Sequence, residues 1–423
     1  MSSEELLYIE GGRRLAGEAC VQGSKNAALP MLAASLLATR GHTILHRVPA
    51  VKDVLVALEV LRKLGARVDH DLSSQTVVID TVDVANYHLP EDLTGRFRAA
   101  LLFVGPLLAR FRKACICEVG GCAIGSRPVD YHYRGFARLG ARVTGTGGGG
   151  IEVCADDLRG AFMYCDLPSH TGTENLIMAA SLAAGDSLIE NAASDPEIVD
   201  FVQLLSKMGA RVRGAGTRTV EISGVDELHG AEHTIMHDRL DAGMLMMAAG
   251  ITGGDVAIQG VQHDHLRVFT AKLHQMGVQW HEDGSWTRVQ GPEVLSPINV
   301  VTTYYPGFPT DLQPSIVALA CVANGDSYIR ETVFEDRLGH VKTLRAFGAR
   351  LLPEKDRLVI VHGPARLRAA RTGAHDIRAG GACLLAALAA QGRSSISNLY
   401  QLDRGYDNLE NRLRALGAEL ERI

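Results

Sequence analysis

Leu64-Gly65-Ala66-Arg67-Val68, Leu139-Gly140-Ala141-Arg142-Val143, Met208-Gly209-Ala210-Arg211-Val212, Met276-Gly277-Val278-Gln279, Phe347-Gly348-Ala349-Arg350-Leu351 and Leu416-Gly417-Ala418-Glu419-Leu420 are six copies of one phrase. In each, a helical run ends at a glycine and a strand begins. The glycines at 65, 140, 209, 277, 348 and 417 set a period of about 70 residues. That is too long for a solenoid repeat and too short for a comfortable independent domain, so the units must share cores.

Working outward, each unit opens with an apolar run of small residues: 26–37, 98–108, 172–184, 242–250, 311–323 and 380–390. These runs are apolar nearly all round and predict buried helices, unlike amphipathic surface helices. A short strand follows, as in Ser187-Leu188-Ile189-Glu190. A loop then leads to a more amphipathic helix that ends at the repeat glycine, where a left-handed cap is favoured. Two strands close the unit, as in Ala210-Arg211-Val212-Arg213 and Thr219-Val220-Glu221-Ile222. The sixth unit reaches Ile423 one strand short. Leu7-Tyr8-Ile9-Glu10-Gly11 resembles Val220-Glu221-Ile222-Ser223-Gly224 and is expected to supply it. The fold class is therefore α/β, with three repeats around buried helices in each of two domains. The expected domains are 24–237 and 1–23 plus 238–423, with two chain crossings as the hinge.

The bulk properties agree with a globular protein. The chain has 423 residues, 46% hydrophobic and 22% charged, with a formal net charge of −5. An acidic balance argues against nucleic acid or an anionic membrane as the main partner. No apolar stretch is long enough to span a bilayer. The start, Met1-Ser2-Ser3-Glu4-Glu5, lacks a signal-peptide pattern, and the eight cysteines are scattered, which together suit the cytoplasm.

Buried helices whose N-termini converge would focus partial positive charge and unpaired N–H groups on one region. Polar residues stand at every expected helix start: Lys25-Asn26, Arg98, Thr171-Gly172-Thr173, Asp241, Asp311 and Asp376-Ile377-Arg378. N-capping accounts for Thr171, Thr173, Asp241 and Asp311. It does not account for Lys25, Arg98 or Arg378, because a cation there opposes the helix dipole. The loops after each first strand add Lys52-Asp53, the run 120–130, Asp195-Pro196-Glu197, His263-Asp264-His265, Glu335-Asp336-Arg337 and Asp403-Arg404-Gly405-Tyr406. Lys25, Lys52, Arg98, Arg127, Arg337, Arg378 and Arg404 form a set of seven cations suited to a substrate bearing phosphate and carboxylate. Cys122 sits in a glycine-rich loop near Arg127, a setting that favours a reactive thiolate. Cys154, Cys321 and Cys383 read as buried hydrophobic cysteines. His263-Asp264-His265 and the Cys115, Cys117, Cys122 group lack a second ligand pair, so no metal and no cofactor is expected.

At Gly23-Ser24-Lys25-Asn26-Ala27-Ala28-Leu29-Pro30, at the run from Gly120-Gly121-Cys122 to Arg127-Pro128-Val129-Asp130, at Phe308-Pro309-Thr310-Asp311-Leu312-Gln313 and at Asp403-Arg404-Gly405-Tyr406 the chain resembles the UDP-N-acetylglucosamine 1-carboxyvinyltransferases. These belong to the enolpyruvyl transferases (EPSP synthase family) and open peptidoglycan synthesis. The likeness covers essentially the whole chain and implies two inside-out α/β barrels of three βαβαββ repeats each. It implies that the 3′-hydroxyl of UDP-N-acetylglucosamine adds to C2 of phosphoenolpyruvate, and that the tetrahedral intermediate expels phosphate. By position, Lys25, Arg127 and Arg404 would hold the phosphate or carboxylate. Arg98, Arg337 and Arg378 would shape the anionic pocket, with Lys52 and Asp376 in the substrate-binding set. Asn26 would orient the sugar, and Asp311 would accept the hydroxyl proton. Cys122 would act as general acid or in product release. Arg127-Pro128-Val129-Asp130, Ser169 and Val333 would hold the nucleotide and sugar. The segment Ser169-His170-Thr171-Gly172 carries His and Thr where many members have Val and Gly. A nucleoside monophosphate such as UMP, in natural-product biosynthesis, is the alternative acceptor. The resemblance implies no oligomeric state.

Overall fold

A computed structural model describes residues 5–117, 129–146 and 150–423. The chain divides into two compact units, one within 23–236 and the other formed by 237–423 with the N-terminal segment through Gln22. Each has its own hydrophobic core.

The six repeat glycines all adopt positive φ, from 83° at Gly417 to 106° at Gly65 and Gly209. Each follows, by no more than two residues, the second helix of its unit: Lys52–Leu64, Asp130–Arg138, Pro196–Lys207, Arg267–Gln275, His340–Ala346 or Leu409–Ala415. A left-handed residue lets the chain reverse and return as a strand, and glycine does this without a Cβ clash.

Every unit builds one small sheet around its first strand. In the third, Asp186–Glu190 is antiparallel to Thr219–Ser223 and parallel to Phe162–Tyr164, with Arg211–Arg213 at the far edge. Five sheets have four strands. The sixth, Lys113–Ile116 with Ile151–Cys154 and Arg142–Gly145, has three and a single parallel bridge from His88 to Cys115. The fourth strand, absent from the sequence reading of the unit, comes from the preceding repeat and closes each ring of three. Glu232–Thr234 runs back to lie parallel to Thr43–His46. In the other unit, Ala16–Cys20 lies parallel to Asp255–Gln259.

The N-terminal strand Leu7–Glu10 inserts between Arg393–Ser397 and Glu419–Arg422, pairing Ile9 with Ser394 on one side and Leu420 on the other. The last repeat is thus completed from the start of the chain.

The central helices are Lys25–Ala34, Val104–Phe111, His170–Ala180, Arg239–Thr252, Gln313–Val322 and Ile377–Ala389, and they are buried nearly all round. Small residues let them approach closely. A Cβ on Gly243 would stand 2.7 Å from Leu312, and one on Gly250 would stand 3.6 Å from Leu319. Ser315 Oγ lies 3.8 Å from Met244 Sδ. Contacts that advance together along both chains mean that Arg239–Thr252 and Gln313–Val322 run parallel, so their N-termini lie at one end. Among the described residues, no helix is long and apolar enough to cross a membrane.

Gly209→Ala is expected to destabilise the protein by about 1–2 kcal/mol through its positive φ, since no atom lies closer than 3.7 Å to the added methyl position. Urea unfolding monitored by circular dichroism measures it; an unchanged midpoint would remove the requirement for a left-handed residue.

Candidate active site

The helix starts carry charge, and the charges meet the loops that follow the first strands. In the 237–423 unit, Asp311 lies in the short helical turn Thr310–Leu312 that leads into Gln313–Val322. It is no cap. Its Oδ1 accepts from Arg337 Nη2 at 2.6 Å and its Oδ2 from Arg378 Nη2 at 3.0 Å. Arg337 comes from the loop after Asp326–Arg330, and Arg378 from the first turn of Ile377–Ala389. Both guanidiniums are buried. Arg337 also has Nε and Nη1 shielded from solvent without a hydrogen-bond partner among the described residues. Unmet donors of this kind are costly unless an acceptor arrives. Arg378 lies over the Tyr406 ring at 6.0 Å, and the negative charges of Asp311 and Asp238 raise its pKa despite burial. Arg404 is buried and its Nη1 donates to Gln401 at 3.1 Å.

Asp376 caps Ile377–Ala389, accepting from the Arg378 and Ala379 N–H groups at 2.8 and 3.0 Å. Val333 is held by a residue the sequence reading did not single out. Glu331 is fully buried; its Oε1 accepts from the Val333 and Phe334 N–H groups at 2.8 and 3.1 Å, and its Oε2 from the Thr310 hydroxyl at 2.9 Å. One carboxylate thus ties the Val333 loop to the Asp311 turn. The available signal was an acid placed directly after a strand, which resembles a solvated strand end.

In the 23–236 unit, Ser24 caps Lys25–Ala34 through the Ala27 N–H. The buried Lys25 ammonium lies 3.3 Å from Oδ2 of Asp53, which stands in the first turn of the helix Lys52–Leu64. Asn26 is partly buried beside it, whereas Lys52, the first residue of its helix, is exposed. Arg98 opens the helical turn Arg98–Phe103 and is half-buried near Tyr133. Behind that turn, Asn175 Nδ2 donates to the Leu101 carbonyl and to His132 Nδ1, both at 2.9 Å, and its Oδ1 accepts from the Gly105 N–H at 2.7 Å. This pins the Arg98 segment to the third central helix. Ser169 caps that helix through the Gly172 N–H at 3.1 Å. Val129 precedes the helix Asp130–Arg138, and Asp130 pairs with Arg134 at 3.1 Å on the surface. Cys122, Arg127 and Pro128 lie outside the described residues.

Several sequence expectations change. The caps are Ser169, Asp238 and Asp376, instead of Thr171, Thr173, Asp241 and Asp311. Thr173 Oγ1 accepts from the Ala193 N–H, and Asp241 accepts from the Gln22 N–H and from Arg412. The helices starting at Lys25, His170, Arg239 and Ile377 begin one to three residues earlier than their apolar runs, which moves their caps upstream. Cys321 and Cys383 are buried, and desolvation pushes both thiols up to about 12. Cys154 is only half-buried, because Ile151–Cys154 turns Val153 inward and leaves the thiol facing Arg142. His263 stacks on Trp280 at 3.9 Å and bonds to Thr287, so it serves packing.

Three small sheets around three buried helices, repeated in two units, define an enolpyruvyl transferase fold. The enolpyruvyl transferase NikO from Streptomyces tendae superposes with a TM-score of 0.90 at 26% identity, covering 99% of both chains. EPSP synthase from Acinetobacter baumannii superposes at 0.76 and 17% identity over the full length of both, a likeness of fold alone. A sequence profile of EPSP synthase (3-phosphoshikimate 1-carboxyvinyltransferase) matches residues 9–413, and the chain belongs to that family. It is 46% identical to UDP-N-acetylglucosamine 1-carboxyvinyltransferase of Thermobifida fusca over 100% of this chain and 99% of the relative. It is 46% identical to UDP-N-acetylglucosamine 1-carboxyvinyltransferase 1 of Halalkalibacterium halodurans, over 99% and 94%.

The His132 pin titrates. Burial, and then the Arg98 charge, lower its pKa from 6.5 to about 3. The unfolded chain therefore takes up this proton first as pH falls. The stabilisation is complete above pH 6.5 and is lost toward pH 3, at up to about 1.4 kcal/mol per pH unit. Urea midpoints between pH 7 and 4 should show this slope, and His132→Gln, with no proton to gain, should flatten it by about one proton. Parallel pH profiles for the two proteins would contradict the assignment.

Proposed function

We propose that the protein transfers the enolpyruvyl group of phosphoenolpyruvate to the 3′-hydroxyl of UDP-N-acetylglucosamine, releasing phosphate, as the first committed step of peptidoglycan synthesis. The observation that carries this reading is Asp311 clasped between two buried arginines, one of which holds two N–H donors without a hydrogen-bond partner among the described residues. Fixed guanidiniums suit an oxyanion whose charge grows during reaction, because they need no reorganisation. Full-length identity to relatives named for this reaction supports the acceptor. A third relative so named, from Staphylococcus epidermidis, is 43% identical. This favours the sugar nucleotide over a nucleoside monophosphate.

In this reading the substrate anions take over the guanidiniums and free Asp311. Its carboxylate then accepts the proton of the attacking hydroxyl as the oxygen bonds to C2, while C3 gains a proton from a general acid. Loss of a proton from C3 and departure of phosphate restore the double bond in the enolpyruvyl ether. Cys122 serves as that acid or in product release. Lys25, Arg127 and Arg404 hold phosphate and carboxylate, and Arg98, Arg337, Arg378, Lys52 and Asp376 complete the anionic pocket. Asn26 orients the sugar; Pro128, Val129, Asp130, Ser169 and Val333 contact the nucleotide and sugar. In this reading the reaction takes place in the cytoplasm.

Phosphate release is expected only when phosphoenolpyruvate and UDP-N-acetylglucosamine are both present, with UMP unable to replace the sugar nucleotide. No release with the sugar nucleotide would overturn the reading. Asp311→Asn should lower kcat by about 100- to 10,000-fold, as loss of a general base does, without a matching loss of phosphoenolpyruvate affinity. Fosfomycin, an epoxide analogue of phosphoenolpyruvate, should label Cys122; Cys122→Asp should stay active and escape it. Mass spectrometry placing the adduct on another cysteine would refute that assignment.

A further inference from the structure

One cluster in the 23–236 unit has no part in the reaction described. His170 is the first residue of the helix His170–Ala180, and Glu174 follows one turn later on the same face. His170 Nδ1 lies 3.4 Å from Glu174 Oε2. Glu174 is 0% exposed, and among the described residues neither of its oxygens has a hydrogen-bond partner. The other imidazole nitrogen, Nε2, is also shielded from solvent and without a hydrogen-bond partner among them.

Asp195 and Glu197 flank Pro196 at the start of the helix Pro196–Lys207. One ring nitrogen of His170 and one carboxylate oxygen from each of these two residues lie within 4.8 Å of one another. Asp195 and Glu197 make other polar contacts as well, which anchor them.

We propose that His170, Asp195 and Glu197 form a binding site for a divalent first-row transition-metal ion, with Glu174 as the outer carboxylate that orients the imidazole. A metal-bound histidine characteristically gives its second ring N–H to a carboxylate, which fixes the tautomer and raises the basicity of the ligating nitrogen. Here Nδ1 faces that carboxylate, and the proposal gives Nε2 to the ion. One nitrogen and two oxygens suit Zn²⁺ or Mn²⁺ better than an all-oxygen cation such as Ca²⁺. Bonds near 2.1 Å would draw the three ligand atoms to about 3–3.5 Å apart, within reach of side-chain rotation at a partly exposed histidine. Three protein ligands leave further positions open to water or a ligand oxygen.

The test titrates metal-free full-length protein with Mn²⁺, following the free ion by electron paramagnetic resonance and then competing with Zn²⁺. Mn²⁺ is the first probe because thiolates bind it weakly, which keeps the cysteines out of the measurement. One Mn²⁺ per chain, displaced by Zn²⁺, is expected. His170→Val should weaken binding by at least about 100-fold, and the isosteric Glu174→Gln by about 10- to 100-fold, with near-native melting. Wild-type protein that binds no Mn²⁺ at millimolar concentration would overturn the proposal. So would undiminished affinity in His170→Val or, should that variant fold poorly, in Glu174→Gln. The readout is metal binding, so its failure leaves the transferase reading untouched.

Discussion

A helix buried on every side can carry charge only at its ends, and this constraint organises the molecule. Six such helices, built from Ala, Gly, Leu and Met, leave no polar face to water. An ionised group that belongs to them sits most cheaply near a helix end, where it can find a partner, because an unpaired buried charge costs several kcal/mol. In several repeats the segment that follows the first strand supplies that partner.

The same junction recurs with different chemistry. In the first repeat a helix-start cation, Lys25, meets Asp53 at the start of the second helix. In the third, His170 meets Asp195 and Glu197. In the fifth the signs invert, with Asp311 on the helix side and Arg337 from the loop. In the sixth, Arg378 meets Tyr406. Arg378 also reaches Asp311, so one carboxylate links two adjacent repeats. Divergence at one structural position, repeated, gathers different charged groups at the helix starts of a protein whose net charge is negative. Glu331 is the complement of this arrangement. Its two oxygens hold both the Val333 loop and the Asp311 turn.

Much of this was legible beforehand. The repeat phrase located the left-handed glycine that ends the second helix of each unit, and the missing sixth strand was found at the N-terminus by its pattern alone. The central helices were recognisable because no polar stripe interrupts them. What pattern could not resolve was the first turn of each. Apolar periodicity begins only where the helix is already buried, so caps such as Ser169 and Asp238 fall outside the periodic run. Asp241 and Asp311 were mistaken for caps for that reason, since an acid near a helix start has the same appearance whether it caps or pairs.

The sequence by itself determined the repeat, its α/β class, the turn at each glycine and the residue types gathered at the helix starts. Those properties follow from local backbone preferences and from the distribution of apolar residues along about 70 positions. Only the tertiary structure decided partnership: Asp311 with Arg337 and Arg378, Asn175 with His132, Glu174 with His170. Each pair joins different turns or segments, up to 67 residues apart for Asp311 and Arg378. The energy of a charge depends on the few ångströms around it, and those distances exist only once sheets and helices have packed.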